Sequence, residues 1–458
     1  MKTTLTMTGR QHERLQAHLF PGDGLEAVAL LLCGRRAGDV HRLLVHDVVL
    51  LPHDRCERER NLITWPTELL DEHLERAAKR GLAVVKIHSH PGGFDSFSPQ
   101  DDNADKALFL SIYSWVDRPE PHGSAIMLPD GRVFGRVVTE SAEFIDLDCV
   151  VVVGDDITIW PATQTEVDLP HGVRFAQMFG KGTLAAMHNL KVAVVGCSGT
   201  GTLVIEGLVR NCVGHVVLVD PDEVADLNLN RMVNTKKKDV GHPKVDVLEE
   251  AILAMDLGTK VTAIAKDLFD PDVVRAVADC DVIFGCVDNI EARHLLNRLA
   301  AFYLIPLFDV GVRISADGLG GVDGVEAAAN YVAPDGPSLM SRGMYTQKQL
   351  DAAMLAARDP EEYKPRRAEG YIDGVDESES AVISVNMMAV ALGLNDFLAR
   401  LHPYRDADNA EFARQYMSLY LGCYGREELR EPDGALVKCV GRGDTLPLLQ
   451  MPALSERR

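Results

Sequence analysis

The chain has 458 residues and a net charge of −21, and its length predicts about two to four domains. The strong negative charge argues against a nucleic-acid partner, and no run approaches the roughly 20 apolar residues that a membrane span requires. An N-terminus without an apolar signal region predicts a cytoplasmic protein, and nine cysteines without a CxxC pair predict reduced thiols.

The first part of the chain, residues 1–156, predicts an α+β domain. Its helices are expected at 9–19 and at 67–80, where apolar residues recur at helical spacing. Strands are expected at 24–32, 43–50, 83–87, 124–128, 131–138 and 149–154, the last of these closing the domain. A looser stretch with two prolines, residues 157–173, is predicted to be a linker.

The stretch 85–102, VKIHSHPGGFDSFSPQDD, carries a set of metal ligands. His88 and His90 are two apart at the end of a strand, so both project from one face. Ser98 begins a helix as its N-cap, and Asp101, three residues on, shares its helix face. Two imidazoles and one carboxylate have the composition of a catalytic zinc site with an open fourth position. The alternative is that these are only capping and strand-end residues.

The complete pattern, H-S-H-P followed by six residues, S, two residues and D, resembles the JAMM motif of the JAB/MPN metalloprotease family. That family includes isopeptidases that act on ubiquitin and ubiquitin-like proteins. The resemblance implies that His88, His90 and Asp101 bind Zn2+ and that Ser98 steadies the oxyanion. It also implies that Glu26, at the head of the apolar run 24–32, is the general base.

The second part opens with a strand at 190–195 that runs into a glycine turn formed by Gly196, Gly199 and Gly201. Backbone amides in such a turn, and at the N-terminus of the following helix, form an anion site. A second strand ends at Asp220, where a Rossmann unit places its ribose-binding carboxylate. An NAD-dependent oxidoreductase is the usual meaning of this pattern, but the spacing is G-x-x-G-x-G rather than G-x-G-x-x-G.

The polar string 220–231 and the glycine turn resemble the ThiF/MoeB-type adenylating family, which includes the ubiquitin-activating enzymes. The resemblance runs from about residue 174 to 401 and implies a Rossmann-like α/β domain, predicted to span 174–402, that binds ATP and Mg2+. The residues it implies for that binding are Gly196, Gly199, Gly201, Asp220, Asp222, Asn228, Arg231, Lys244, Asp288 and Asn289.

Two positions depart from the adenylating family. Arg174 matches the first of a frequent arginine pair, but Gln177 stands at the second. No cysteine lies in residues 333–341, where many relatives carry a catalytic thiol, so Ser338 or Ser341 is either a loop residue or an unusual acceptor. Residues 345–370 are predicted to be mobile, 380–401 to form a packing helix, and 403–458 to be a tail of unknown role.

Together, the two resemblances predict one chain that processes a ubiquitin-like protein and adenylates its C-terminal carboxylate. A downstream conjugating partner is also expected, and a homodimer is expected from the habit of the adenylating family. Three alternatives stay open. They are sulfur-carrier activation for cofactor or metabolite synthesis, an NAD-dependent oxidoreductase, and a binding module with an inactive zinc site.

Overall fold

A computed structural model describes residues 2–163, 165–316, 321–358, 363 and 382–455. The chain forms two compact units. One comprises Met1–Gln164 with Phe302–Leu304 and Cys439–Thr445, and the other comprises Thr165–Ala301, Ile305–Lys438 and Leu446–Arg458. Among the described residues, no helix is both long enough and apolar enough to cross a bilayer.

The first unit is built on a mixed nine-stranded sheet in the order β11-β10-β1-β3-β2-β6-β7-β8-β9, beside a small hairpin of β4 and β5. Its strands are β1 Thr3–Thr8, β2 Val28–Ala37, β3 His41–Leu50, β4 Glu57–Arg58, β5 Ile63–Thr64, β6 Ala83–Ser89, β7 His122–Met127, β8 Val133–Val138, β9 Phe144–Asp146, β10 Cys149–Val153 and β11 Ile157–Pro161. Its helices are α1 Gly9–Leu19, α2 Asp71–Arg80 and α3 Pro99–Val116.

Helices cover both faces of this sheet, which explains why the first part of its central strand β2, residues 28–33, is continuously apolar. Successive side chains of a strand point to opposite faces. Leu31 accordingly packs in one buried cluster with Leu15 of α1. Leu30 packs in the other cluster with Leu74 of α2 and Phe109 of α3. The predicted α+β class of this region is therefore confirmed.

The strand predicted to close the first domain is not its last. Cys149–Val153 forms as expected, but β11 pairs antiparallel with it across residues 157–161. The stretch predicted to be a linker, 157–173, therefore begins with a strand and ends with a 3₁₀ turn at Pro170–Gly172. The sequence signal was misleading because β11 is an edge strand, and an edge strand tolerates a proline at its end.

The second unit is built on an eight-stranded sheet in the order β14-β13-β12-β15-β16-β17-β18-β19. The strands that follow residue 165 are β12 Lys191–Val195, β13 His215–Val219, β14 Lys260–Ile264, β15 Val282–Gly285, β16 Leu307–Ala316, β17 Val322–Val332, β18 Arg414–Ser418 and β19 Cys423–Glu427. The helices are α4 Val173–Asn189, α5 Gly199–Arg210, α6 Lys244–Met255, α7 Pro271–Ala278, α8 Ile290–Tyr303, α9 Gln347–Arg358 and α10 Ile383–Leu401.

The first five strands of this sheet in spatial order, β14 to β16, are parallel, and β17 to β19 are antiparallel. Strand β12 has β13 on one side and β15 on the other, so the chain reverses its winding direction there. Ligands of open α/β sheets bind at such a switch point, beyond the carboxyl ends of the strands. The predicted Rossmann-like class is confirmed, and the glycine turn follows β12 at this point.

The C-terminal region is more ordered than a tail. β18 and β19 extend the second sheet, while Cys439–Thr445 belongs to the first unit, where the Gly34 amide donates to the Gly441 carbonyl. Part of the segment predicted to be mobile, 345–370, is instead helix α9. Apart from residue 363, residues 359–370 lie outside the described residues, as do the first two residues predicted for the packing helix, Ser380 and Ala381.

Candidate functional site

The predicted metal ligands come together at the carboxyl end of β6. The Nε2 atom of His88 lies 3.2 Å from the Nε2 atom of His90 and 3.0 Å from Oδ1 of Asp101. The His90 Nε2 atom lies 3.7 Å from Oδ2 of Asp101. This is the one group of three or more His, Cys, Asp or Glu ligand atoms within 4.8 Å of one another that the described part of the chain contains.

The separations fit a zinc ion. A tetrahedral site with bonds of about 2.0–2.1 Å holds its ligand atoms about 3.3 Å apart, and the three observed separations lie on both sides of that value. The His90 ring also faces the right way. His90 Nδ1 lies 2.7 Å from the Phe94 carbonyl oxygen, so the donated proton sits on Nδ1 and the lone pair of Nε2 faces the cluster.

The charge states of His88 and Asp101 suit metal binding as well. Burial lowers the pKa of His88 to about 4, which leaves this imidazole neutral at physiological pH. Burial also opposes ionisation of Asp101, but hydrogen bonds from His88 and His90 outweigh it and hold the pKa of that carboxyl well below its usual range. For His90 burial is again the largest single effect and lowers the pKa, but the neighbouring Asp101 carboxylate and the Phe94 carbonyl outweigh it and leave that pKa raised, so metal binding would displace a proton from this ring.

Glu26 lies just outside the cluster of ligand atoms. It stands two residues before β2 rather than within the strand, and Arg58 Nε donates to its carbonyl oxygen across 2.7 Å. The residue is 6% exposed, and burial raises the pKa of its carboxyl to about 7. The charge of His90 acts to lower that pKa and the charge of Asp101 acts to raise it. A carboxyl that titrates near neutrality is suited to take up and release a proton.

Ser98 caps α3 and also holds Asp101. Its backbone amide and its Oγ donate to Asp101 Oδ2 at 2.7 and 2.6 Å, and the Asp101 amide donates back to Oγ at 3.2 Å. The capping interpretation of this pair is therefore correct as local structure. It is compatible with a metal site because Oδ1 remains directed at His88.

A buried ionic network that the sequence did not reveal fastens α3 beside the cluster. Asp105 is fully buried and pairs with Lys86 of β6 at 2.5 Å and with Arg136 of β8 at 2.7 Å. Arg136 also pairs with Asp102 at 2.5 Å, and its guanidinium lies between the rings of Phe97 and Phe144. The network acts on the helical turn that carries Asp101. Arg136 lies far along the chain, so no local pattern marks it.

The glycine turn opens a cavity of about 1680 Å³ in the second unit. Gly196 has φ +89°, a conformation that suits glycine. A Cβ on Gly201 would overlap the Gly196 carbonyl, so Gly201 allows close packing and does not line the cavity. The other nine predicted nucleotide-binding residues all line it: Gly196, Gly199, Asp220, Asp222, Asn228, Arg231, Lys244, Asp288 and Asn289.

Asp220 and Lys244 form the charged centre of this cavity. Both are 5% exposed, and Asp220 accepts a hydrogen bond from the Cys197 amide of the glycine turn at 2.7 Å. Lys244 Nζ lies 2.7 Å from Asp222 and 3.4 Å from Asp220. Burial acts to lower the pKa of Lys244, but the two carboxylates outweigh it and raise that pKa, so the ammonium stays charged. A charged donor therefore stands beside the turn that would hold phosphates.

The remaining predicted residues close the cavity. Asn228 caps a 3₁₀ turn by accepting a hydrogen bond from the Ala225 amide at 2.8 Å, and Asn289 caps α8 by accepting one from the Ala292 amide at 2.8 Å. Asp288 is exposed beside it. Arg293 and residues 310–315 of β16 also line the cavity and were not predicted, because neither carries a motif.

Ser338 is 2% exposed and donates to Asp433 across 2.5 Å. Ser341 lies beside it, with its amide donating to the Ser338 Oγ at 3.1 Å. A hydroxyl that is buried and engaged with a carboxylate favours the loop-residue interpretation over an acceptor.

Gln177 contacts Arg174 at 3.3 Å.

Comparison with known proteins gives the class of each region. Residues 172–357 match the ThiF family, and residues 10–128 match the family described as prokaryotic homologs of the JAB domain. The chain therefore combines a JAB-like region with a ThiF-type region.

Its curated relatives include several activating enzymes. The SAMP-activating enzyme E1 of Haloferax volcanii is 32% identical over 32% of this chain and 51% of its own length. The sulfur carrier protein adenylyltransferase of Thermus thermophilus is 30% identical over 32% of this chain and 54% of its own length. The molybdopterin-synthase adenylyltransferase of Escherichia coli is 29% identical over 29% of this chain and 53% of its own length. The chain spans about half the length of these relatives.

Among solved structures, E. coli MccB aligns with a TM-score of 0.47 at 17% identity, covering 61% of this chain and 77% of that chain.

Proposed function

We propose that this chain trims the C-terminus of a ubiquitin-like or sulfur-carrier protein and adenylates the carboxylate that trimming exposes. The observation that carries the proposal is the cavity of the second unit, where a ThiF-type glycine turn, Asp220 and Lys244 meet. The trimming activity is supported by the JAB-like match together with the convergence of His88, His90 and Asp101. The two reactions are chemically consecutive, because the first produces the group that the second consumes.

In the trimming reaction, His88, His90 and Asp101 would hold Zn2+. When bound, zinc supplies a Lewis acid that polarises a carbonyl group and acidifies water. Glu26 takes the proton as water adds to the scissile carbonyl. It then delivers that proton to the nitrogen as the C–N bond breaks, so the amine leaves neutral; the new carboxylic acid releases water's second proton to solvent, and the tail ends in a carboxylate. A role for Ser98 beyond holding Asp101 stays a prediction.

In the adenylation reaction, a carboxylate oxygen of the substrate attacks the α-phosphorus of ATP. The bond between the α-phosphorus and the bridging oxygen breaks, and pyrophosphate leaves. Amides of the glycine turn donate to phosphate oxygens, while Lys244 and Arg231 offset the negative charge that would repel the carboxylate. Asp220 is proposed to bind the ribose. Asp288 would hold Mg2+, which offsets triphosphate charge when bound.

Sulfur-carrier activation is the second candidate, and the names of the relatives from T. thermophilus and E. coli favour it. It uses the same adenylation and differs in the later fate of the adenylated carboxylate. The oxidoreductase alternative loses its basis, since the glycine turn lies within the ThiF match. An inactive zinc site is disfavoured by a complete ligand set whose three ligand atoms lie within 4.8 Å of one another. A downstream conjugating partner, a homodimer and a cytoplasmic location stay predictions.

The test is a mass measurement on purified ubiquitin-like and sulfur-carrier proteins that carry a C-terminal extension, incubated with the chain, Zn2+, ATP and Mg2+. We expect loss of the extension, followed by addition of AMP to the trimmed form only. His90→Ala should prevent the loss and Asp288→Ala should prevent the addition. The exposed residues His171 and Asp246 supply control variants, His171→Ala and Asp246→Ala. Carriers that keep their mass across the whole panel would refute the proposal.

A further inference from the structure

The segment that carries Glu26 is neither helix nor strand. It comprises residues 20–27, all of which are described, and it lies between the end of α1 and the start of β2. Gly22 and Gly24 adopt φ values of +94° and +74°, a region that glycine enters at no steric cost. A segment of this kind keeps one conformation only where contacts with its neighbours hold it.

One side of this segment is held by β6, the strand that carries the two histidines of the metal cluster. The pairing of β2 with β6 ends where Val28 faces His88, and Ser89 continues it by one residue. The Ser89 amide donates to the Ala27 carbonyl at 3.0 Å, and the Ser89 Oγ accepts from the Ala27 amide at 2.9 Å. Since Ser89 lies between the two histidines, these bonds fix the residue that follows Glu26 against the proposed metal ligands.

The other side of the segment is held by Arg58 of the hairpin β4–β5. Its Nε donates to the Glu26 carbonyl at 2.7 Å, and its Nη2 donates to the Leu25 carbonyl at 3.2 Å. Nη1 and Nη2 also donate to the two oxygens of the Asp23 carboxylate, at 2.8 and 3.2 Å. All three nitrogens of the guanidinium are thus engaged with residues 23–26, and the side chain is only 8% exposed.

Both backbone groups of Glu26 are bonded to this hairpin. The Glu26 carbonyl accepts from Arg58, and the Glu26 amide donates to the Glu59 carbonyl at 2.8 Å. Because the side chain leaves the same Cα, any shift of this backbone is passed on to the carboxyl. A guanidinium suits the task, since its planar fork holds several acceptors in fixed directions, whereas an ammonium is a point charge on a flexible stem.

We propose that Arg58 is a positioning residue for trimming, which fixes the place of the Glu26 carboxyl beside the metal cluster. The inference rests on the proposed trimming reaction, in which Glu26 carries the proton. Proton transfer requires heavy-atom distances of about 2.6–3.2 Å, and a displacement of about 1 Å can lower a rate about a hundredfold. Among the described residues, the side-chain hydrogen bonds of Arg58 all go to residues 23–26. Its loss should therefore slow proton transfer and leave zinc binding intact.

The experiment measures trimming kinetics of the full chain, loaded with zinc, on the same panel of extended carriers. We expect Arg58→Met to lower kcat by about ten- to a hundredfold and to leave KM for the carrier and Kd for zinc unchanged. Arg58→Lys should lose most of the same activity, because an ammonium cannot replace the fork. The matched control is Arg60→Met, at an exposed position in the turn of the same hairpin, which should behave as wild type.

The outcomes separate the inference from the proposed function. An Arg58→Met protein with wild-type kcat, or with its loss in KM or in zinc affinity instead, would overturn the inference alone. If the wild-type chain trims no carrier of the panel, the proposed trimming fails and the inference fails with it.

A double-mutant cycle distinguishes positioning from general support of the fold. Glu26→Asp already draws the carboxyl back by one methylene, so Arg58→Met should cost much less kcat in that background than in wild type. The same factor in both backgrounds would mean that Arg58 acts independently of Glu26 and would overturn the inference. Asp23→Ala serves if Arg58→Met does not fold, because it frees the guanidinium from a half-exposed carboxylate. It should lower kcat in the same direction, and an unchanged kcat would count against the inference equally.

Discussion

Glu26 offers a direct energetic test of the metal cluster, because burying its carboxyl has a measurable cost. The residue is 6% exposed, and burial raises its pKa from the usual 4.5 to about 7. A shift of one pKa unit corresponds to about 1.4 kcal/mol. The carboxylate form of Glu26 is therefore disfavoured in the folded protein by about 3 kcal/mol.

The pH dependence of this cost has a definite sign. Well below pH 4.5 the carboxyl is protonated in both the folded and the unfolded chain, so it costs nothing. As pH rises from 4.5 to about 7, the unfolded chain loses the proton while the folded chain keeps it, and stability falls. Above a pH of about 7 the carboxyl is ionised in both the folded and the unfolded chain, and the full cost remains. The folded pKa is raised, so Glu26 destabilises the metal-free protein at neutral and alkaline pH.

We expect Glu26→Gln to relieve this cost, since the amide has the same shape and no charge. In metal-stripped protein, the variant should exceed wild type in free energy of unfolding by about 3 kcal/mol at pH 8 and by a few tenths at pH 4. Urea unfolding at several pH values measures the difference, and Glu140→Gln, at an exposed position, is the control. A difference that does not grow with pH would refute a buried carboxyl with a near-neutral pKa. After zinc is restored, Glu26→Gln should bind the metal and fail to trim.

Three further substitutions test other contacts. Arg136→Met should lower zinc affinity at least tenfold with the fold preserved, because α3 loses the guanidinium that fastens it; chelator competition measures the affinity. The control is Arg76→Met, at a half-exposed ion pair with Asp47, which should leave zinc affinity unchanged. Lys244→Met should weaken ATP binding by about ten- to a hundredfold, as measured by calorimetry. If the affinity for ATP is unchanged, Lys244 does not contact the phosphates. Ser338→Ala should lower the free energy of unfolding by about 1–3 kcal/mol, because Oδ2 of the buried Asp433 loses the Ser338 donor, and should leave pyrophosphate exchange unchanged. Lost exchange would instead give Ser338 a chemical role.

The sequence predicted the groups that lie within a local motif. His88 and His90 share one strand, and Ser98 and Asp101 share one helical turn, so spacing alone brings each pair together. The glycine turn and Asp220 follow successive strands of one sheet, whose carboxyl ends meet. Glu26 was predicted on its strand but lies two residues before it, since an apolar run indicates that a strand exists better than it indicates where the strand begins.

The features that the sequence missed depend on pairing between distant segments. Arg136 reaches Asp102 and Asp105 from another strand, and nothing near it in the chain distinguishes it from a surface arginine. The strand β11 was hidden because the proline at its end, Pro161, indicated a linker, although an edge strand tolerates a proline there. The elements of residues 403–458 could not be placed, because β18 and β19 are short strands whose position is set by pairing, β18 with β17 and β19 with β18, rather than by their own pattern.

The edge of β16 beyond Asp309, which β15 does not reach, could not be predicted for a different reason, because it is set by where a neighbour stops. Val312 and Ile314 belong to an apolar strand and are typical of a buried position. They are open only because β15 ends at Gly285, where the chain turns toward Asp288 and Asn289. The turn that brings these two residues to the proposed nucleotide site thus also leaves the edge of β16 beyond Asp309 open to the same cavity, so one local event, the early end of β15, shapes both sides of it.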